Sequence, residues 1–126
     1  MGVRGLGYAN DSTVLVYVNN GCYALDHTLT YVTEGNDPYG NPVFGKFPRE
    51  TGLLEHIQTC GRRNLLIFRR NSSSRVYLQI GIPGIDWTLE FLGKISYPIK
   101  DISFHPPWLF LKSQTNGKWN TYLIEE

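Results

Sequence analysis

Residues 65–80 read LLIFRRNSSSRVYLQI, an apolar run followed by a polar turn and a second apolar run. Extended strands on either side of a turn rich in Asn and Ser are typical of a β-hairpin. The pattern occurs twice more, once nearer each end of the chain. Aligned on Leu15, Leu66 and Phe110, the three hairpins recur at intervals of 51 and 44 residues. A period of this length predicts a repeated β-unit.

Further strands are predicted around these hairpins, where apolar and polar residues alternate. These segments are 29–32, 53–59, 87–92 and 99–104. Residues 53–59 also fit one turn of helix, and we favour the strand. The dipeptide Asn20-Gly21 predicts a tight turn with positive φ. Residues 34–48 are rich in Gly, Pro and Asn, which predicts an extended loop.

The chain has 126 residues, the size of one domain. We therefore expect a single all-β domain over residues 1–126, with blade-like units at about 5–34, 53–93 and 97–126. Each unit supplies an inner strand, a central hairpin and an outer strand. The last unit ends before its outer strand.

Composition and charge restrict the function classes. The 12 Lys and Arg against 11 Asp and Glu give a net charge of +1, so no overall field favours nucleic acid or a membrane surface. There is no apolar stretch of membrane-spanning length and no signal-peptide pattern. We expect no membrane association and an intracellular location, cytoplasmic or nuclear. Cys22 and Cys60 read as two semi-buried thiols, with one disulfide left open.

Residues 98–106 read PIKDISFHP, and WLFLKS follows from Trp108. Together they resemble the entry into a blade of WD-repeat or related β-propellers. The resemblance covers about a third of the chain, and the Gly-His and Trp-Asp dipeptides of WD repeats are absent. It implies a scaffold for protein contacts, usually without catalysis.

We therefore expect an all-β fold of antiparallel hairpins arranged as a partial β-propeller. Closed propellers generally use four or more blades, so three units leave blade faces and strand edges bare. Three outcomes stay open: the chain is part of a larger propeller, it completes one with another copy or a partner, or it forms a small β-barrel or β-sandwich instead.

Two groups of residues are candidates for binding. The first is a run of arginines without intervening acids around the second hairpin: Arg62, Arg63, Arg69, Arg70 and Arg75. The second consists of aromatic residues in or beside the third unit: Tyr97, Trp108 and Trp119. Aromatic and arginine side chains are enriched where proteins bind each other. The histidines, cysteines and carboxylates have no catalytic or metal-ligand spacing, so we expect neither an enzyme nor a metal or other cofactor.

The favoured function is a non-catalytic scaffold module that binds a protein partner, or a second copy, through loop aromatics and the arginine-rich hairpin. A lectin-like carbohydrate-binding domain is the first alternative, because tryptophans stack on sugar rings. Nucleic-acid or phosphate binding through the arginines is a weaker one. An enzyme would require a pocket that holds His27, His56 or His105 beside a carboxylate.

Overall fold

The computed structural model describes residues 2–32 and 42–124, and within them the chain forms three antiparallel sheets in sequence order. The first sheet contains β1 (Gly5–Asn10), β2 (Thr13–Val18), β3 (Gly21–Asp26) and β4 (Phe44–Lys46). The second contains β5 (Leu53–Cys60), β6 (Arg63–Arg70), β7 (Ser73–Ile80) and β8 (Thr88–Ile95). The third contains β9 (Ile99–His105), β10 (Trp108–Ser113) and β11 (Trp119–Leu123). A short 3-10 helix, Arg49–Thr51, precedes β5.

The second sheet lies between the other two, which explains the unbroken apolar run in β6. Successive strand residues point to opposite faces of a sheet. Leu66 and Phe68 pack in one core cluster with residues of the first sheet. Leu65 and Ile67 pack in another with residues of the third sheet. All four side chains are fully buried, because both faces of β6 are covered.

The sheets approach each other most closely along their first strands: β1 contacts β5 and β6, and β5 contacts β9. A side-chain amide connects each pair of sheets there. Asn64 accepts a hydrogen bond from the Tyr8 backbone N–H and donates one to the Tyr8 carbonyl, both at 2.9 Å. Gln58 accepts from the Phe104 N–H at 2.9 Å and donates to the Phe104 carbonyl at 3.4 Å. Both side-chain amides therefore provide hydrogen-bond partners for backbone groups on the first strand of the neighbouring sheet.

Strands predicted at 53–59, 87–92 and 99–104 are confirmed as β5, β8 and β9. The strand predicted at 29–32 is wrong: Leu29 has a positive φ of 62°, and Tyr31 forms only an isolated bridge to Leu25. Instead, β4 falls inside the predicted loop at 34–48, of which 34–41 lies outside the described residues. Three residues are too few to show a period, and β4 is specified by its pairing with β3.

The turn at Asn20-Gly21 also differs from expectation, because neither residue is among the positive-φ positions of the described chain. Gly21 instead permits a close approach of strands. A Cβ there would collide with the Gly45 carbonyl oxygen and the Phe44 ring of β4. Gly21, which the sequence pattern assigns to a tight turn, therefore allows β3 and β4 to pack closely.

The structure corrects the alignment of the repeats by one residue. The turns between the first and second strands of each sheet, at residues 11–12, 61–62 and 106–107, align Leu15 with Leu65 and Phe110. Leu66 points the other way, toward the first sheet. A shift of one residue in the alignment moves a side chain to the opposite face of the sheet. In a run that is buried on both faces the residues of either face are apolar, so the sequence does not show which face a given residue occupies.

This alignment defines two faces for every sheet. The forward face, turned toward the next sheet along the chain, carries Leu15 and Tyr17, Leu65 and Ile67, and Trp108 and Phe110. The backward face carries the alternate residues. None of the sheets closes into a barrel in the described ranges, and three layers are stacked where a β-sandwich has two. The all-β antiparallel class is confirmed, and the barrel alternative is not.

Candidate functional site: the outer faces and the edge of the third sheet

The forward face of the third sheet has no sheet against it in the described structure, and its apolar side chains are exposed. Trp108 lies directly opposite Leu123, and Trp119 lies opposite Lys112. Alternation along β10 and β11 puts these four side chains on one face, with Phe110 between the two rows. Trp108 and Trp119 are each 47% exposed, and Leu123 is 53% exposed. Two predicted binding residues are therefore brought onto one surface, although they lie on strands β10 and β11 and not in loops as predicted.

Polar residues share this face, and Phe110 lies between Ser103 and Thr121. The Lys112 ammonium lies 5.8 Å from the centre of the Trp119 ring, a cation–π contact. Asp101 is directly opposite Lys112 on β9, and His105 is opposite Trp108. Opposite charges therefore meet in the row of Asp101, Lys112 and Trp119, while Trp108 lies between Leu123 and His105.

The backward face of the first sheet is also uncovered in the described residues. Leu6 is 62% exposed, Val14 is 36% exposed and Tyr31 is 48% exposed. The Tyr23 ring lies 5.4 Å from that of Tyr31 and 4.7 Å from that of Phe44, measured between centroids. Both outer faces of the stack therefore expose apolar side chains and carry aromatic rings.

The five arginines do not converge on one surface. Arg62 and Arg63 lie at the turn between β5 and β6. Arg69 and Arg70 lie at the opposite end of β6, and Arg75 lies beside that end on β7. Arg69 forms an ion pair with Glu55, at 3.5 Å between nitrogen and oxygen. Eight strand residues at about 3.3 Å each separate the two ends.

A basic depression lies beside the turn between β6 and β7. Arg70, Arg75 and Lys94 line a cavity of about 500 Å³ together with four polar residues, Asn71, Ser72, Ser73 and Ser96. Arg75 is directly opposite Lys94 across the strands and lies 5.9 Å from the Phe91 ring centre. Arg70 donates to the Glu50 carbonyl at 3.3 Å. Only two of the five predicted arginines share this site.

Tyr97, the third predicted aromatic, belongs to the interior side of the third sheet. It packs against the core cluster shared with the second sheet. Its hydroxyl lies 2.6 Å from that of Tyr122 and accepts a hydrogen bond from the Asn120 amide at 3.0 Å. Burial, together with the hydrogen bond between the Tyr97 and Tyr122 hydroxyls, raises the pKa of Tyr122 to about 12. Tyr97 is therefore not part of the tryptophan surface.

One cavity brings a histidine and a carboxylate together: His56 and Glu55 both line a space of about 340 Å³, and Glu55 forms the ion pair with Arg69. No group of three or more His, Cys, Asp or Glu side chains gathers in the described part of the chain. His56 Nε2 lies 2.8 Å from the Ile99 carbonyl oxygen, so its ring contacts backbone. Cys22 is buried, Cys60 is exposed, and the two are not bonded. Burial raises the pKa of the Cys22 thiol to about 12.

A cleft that runs between β8 and β11 was not anticipated as a site. It has a volume of about 380 Å³ and is lined mainly by apolar residues, among them Phe91, Leu92, Ile95, Tyr122 and Ile124. The sequence analysis predicts a third unit without an outer strand. In the described residues the third sheet has three strands and the other two have four.

Comparisons of the chain with models of known families, with curated proteins and with solved structures return no match. No helix in residues 2–32 or 42–124 is long and apolar enough to cross a membrane.

Proposed function

We propose that this protein is a non-catalytic interaction module of propeller-like blades, which associates head to tail with a second copy through its outer faces. The observation that carries the proposal is the exposure of Trp108 and Trp119 on one uncovered sheet face. Exposed apolar patches of this kind mark protein contacts more often than catalytic sites.

The choice of a second copy follows from how the sheets already pack. Each contact within the molecule joins the forward face of one sheet to the backward face of the next. The two uncovered faces are one of each kind: forward on the third sheet and backward on the first. The third sheet of one copy can therefore pack its forward face on the backward face of the first sheet of another copy. This is the same face-to-face packing that joins the sheets within one chain.

Ring closure also favours two copies. Propellers close with roughly four to eight blades. Two chains of three sheets each would make a six-bladed ring. A heterologous contact that closes a ring leaves no bare end, which removes the exposed faces altogether.

Burial of the two tryptophans would favour association. Each tryptophan is nearly half exposed. Its burial would contribute roughly 2 kcal/mol, given that a tryptophan buries on the order of 200 Å² in full. The net charge of +1 opposes the approach of two copies only weakly.

Light scattering coupled to size-exclusion chromatography tests the proposal. We expect a dimer that dissociates on dilution, and a monomer for the double variant Trp108→Asp, Trp119→Asp. Ile85→Asp is the matched control, because Ile85 is 69% exposed and lies outside every strand. A wild-type protein that stays monomeric at all concentrations, or a control that dissociates equally, contradicts the proposal.

Carbohydrate binding is the second candidate, since two exposed tryptophans on one face also suit sugar rings. It predicts retention on a glycan array that is lost in Trp108→Ala and Trp119→Ala. The arginines lend nucleic-acid binding no comparable support, because they are divided between the two ends of β6.

A further inference from the structure

We propose that the third sheet accepts a fourth strand from a partner protein, as an extended segment that pairs antiparallel with the free edge of β11. This site is distinct from the outer faces used in the proposed function, because it uses the backbone edge and the cleft beside it.

The first observation is the number of strands. In the first and second sheets a fourth strand, β4 or β8, pairs with the third. In the third sheet β11 is the third strand, and within the described residues its far side pairs with nothing. An unpaired edge presents a row of N–H and C=O groups that readily accept another strand.

The second observation is which backbone groups point outward. Ser113 donates to the Lys118 carbonyl at 2.9 Å, and Ile124 donates to the Pro107 carbonyl at 2.7 Å. Between these bonded pairs, antiparallel pairing alternates, so Asn120 and Tyr122 bond to β10. The N–H and C=O groups of Trp119, Thr121 and Leu123 therefore face the free edge.

The third observation is the cleft between β8 and β11. In the first interface, the corresponding region is filled: a Cβ on Gly45 of β4 would lie 2.7 Å from the Trp87 ring, which also packs 6.2 Å from the Phe47 ring. In the second interface, no strand of residues 2–32 or 42–124 faces β8 from the third sheet, and the cleft remains. Side chains from an added strand would enter this space.

These features define the chemistry of the partner. The segment is extended, about as long as the five residues of β11, and apolar at alternate positions that face the cleft. Among the described lining residues Glu90 carries a negative charge, which disfavours an acidic segment. Main-chain hydrogen bonds supply affinity, and the cleft supplies selectivity.

A synthetic peptide with the sequence of residues 87–95, WTLEFLGKI, serves as the probe, because it is the chain's own fourth strand in the second sheet. Amide hydrogen exchange is followed by NMR. We expect the peptide to slow exchange at Thr121 and Leu123 at least tenfold. Asn120 and Tyr122 should change little, because they are already bonded to β10.

Two controls make the result specific. A peptide with proline at alternate positions cannot donate to the ladder and should have no effect. The protein variant Thr121→Pro removes one outward N–H but no bond to β10, and should lose the response while its spectrum stays folded. No protection at any peptide concentration, or equal protection by the proline peptide, overturns the inference.

The experiment is repeated on the variant Leu6→Asp, Val14→Asp, whose altered face lies on the first sheet. Association of copies cannot then protect β11. Protection that persists in this variant supports strand addition whether or not the copies associate. Protection seen only in the wild type would instead come from head-to-tail association and would overturn strand addition.

Discussion

Asn64 is the residue that most clearly ties two sheets together. It is fully buried and bonds both backbone groups of Tyr8. It also accepts from the Thr59 hydroxyl at 2.6 Å and donates to Gln79 Oε1 at 3.1 Å, the same oxygen that accepts from the Tyr17 hydroxyl. Sequence patterns gave no hint of this network, because a lone Asn beside an apolar run reads as a strand end.

Asn64→Ala should lower the free energy of unfolding by about 2–4 kcal/mol, because it leaves several buried polar groups without partners. Urea denaturation measures the change. Asn116→Ala is the control: Asn116 accepts one hydrogen bond, from Lys118, in an exposed turn, and its loss should cost less than about 1 kcal/mol. Equal losses in the two variants would show that Asn64 does not join the sheets.

The two cysteines should differ sharply in reactivity. Thiolate is the reactive form, and burial both shields Cys22 and raises its pKa to about 12. Cys60 is exposed at the end of β5. Mass spectrometry after treatment with a thiol reagent near neutral pH should find one label, at Cys60, and a second label only in denaturant. Rapid labelling of Cys22 in the folded protein would contradict its placement in the core.

At the scale of the element, the turn after β3 depends on one carboxylate. Asp26 Oδ1 accepts from the Thr28 hydroxyl at 2.6 Å, the Thr28 N–H at 2.9 Å and the Thr30 N–H at 3.0 Å. These bonds favour the ionised form, so the Thr28 and Thr30 contacts hold the pKa of Asp26 below its ordinary 3.8. The turn is thus stabilised by a charge that acid removes.

The stability of this turn should therefore decrease as the pH is lowered. A lowered folded pKa contributes stability that is present above the ordinary pKa and lost as pH falls through the folded value. NMR shifts of the Thr28 and Thr30 amides should therefore change below about pH 4. In Asp26→Asn, which keeps the acceptor but does not titrate, the change should vanish. An unchanged titration in that variant would assign the transition to another group.

The hairpins could be predicted from sequence because alternation and turn residues act locally. The strand β4 could not, since its three residues are specified by β3 and by the close approach at Gly21. The candidate site was predicted in part. The sequence predicts Trp108 and Trp119 as binding residues, but only the pairing of β10 with β11 places them on one face.

At the scale of the whole molecule, the spacing of the hairpins indicates a repeated unit, but it does not show toward which neighbouring sheet each side chain points. Leu65 and Leu66 are equally apolar, and their faces are distinguished only by what packs on each side. The division of the arginines between opposite ends of β6 likewise needed the strand length and register. The stack then exposes one forward and one backward face, and this pair of unlike ends is the basis of the proposed association.

Mixing two blocked variants tests that claim most directly. Trp108→Asp, Trp119→Asp blocks the forward face of the third sheet, and Leu6→Asp, Val14→Asp blocks the backward face of the first. Each variant alone should be monomeric, and an equimolar mixture should form a one-to-one dimer through its single intact pair of unlike faces, measured by light scattering. A first-sheet variant that still dimerises alone, or a mixture that stays monomeric, would contradict head-to-tail association.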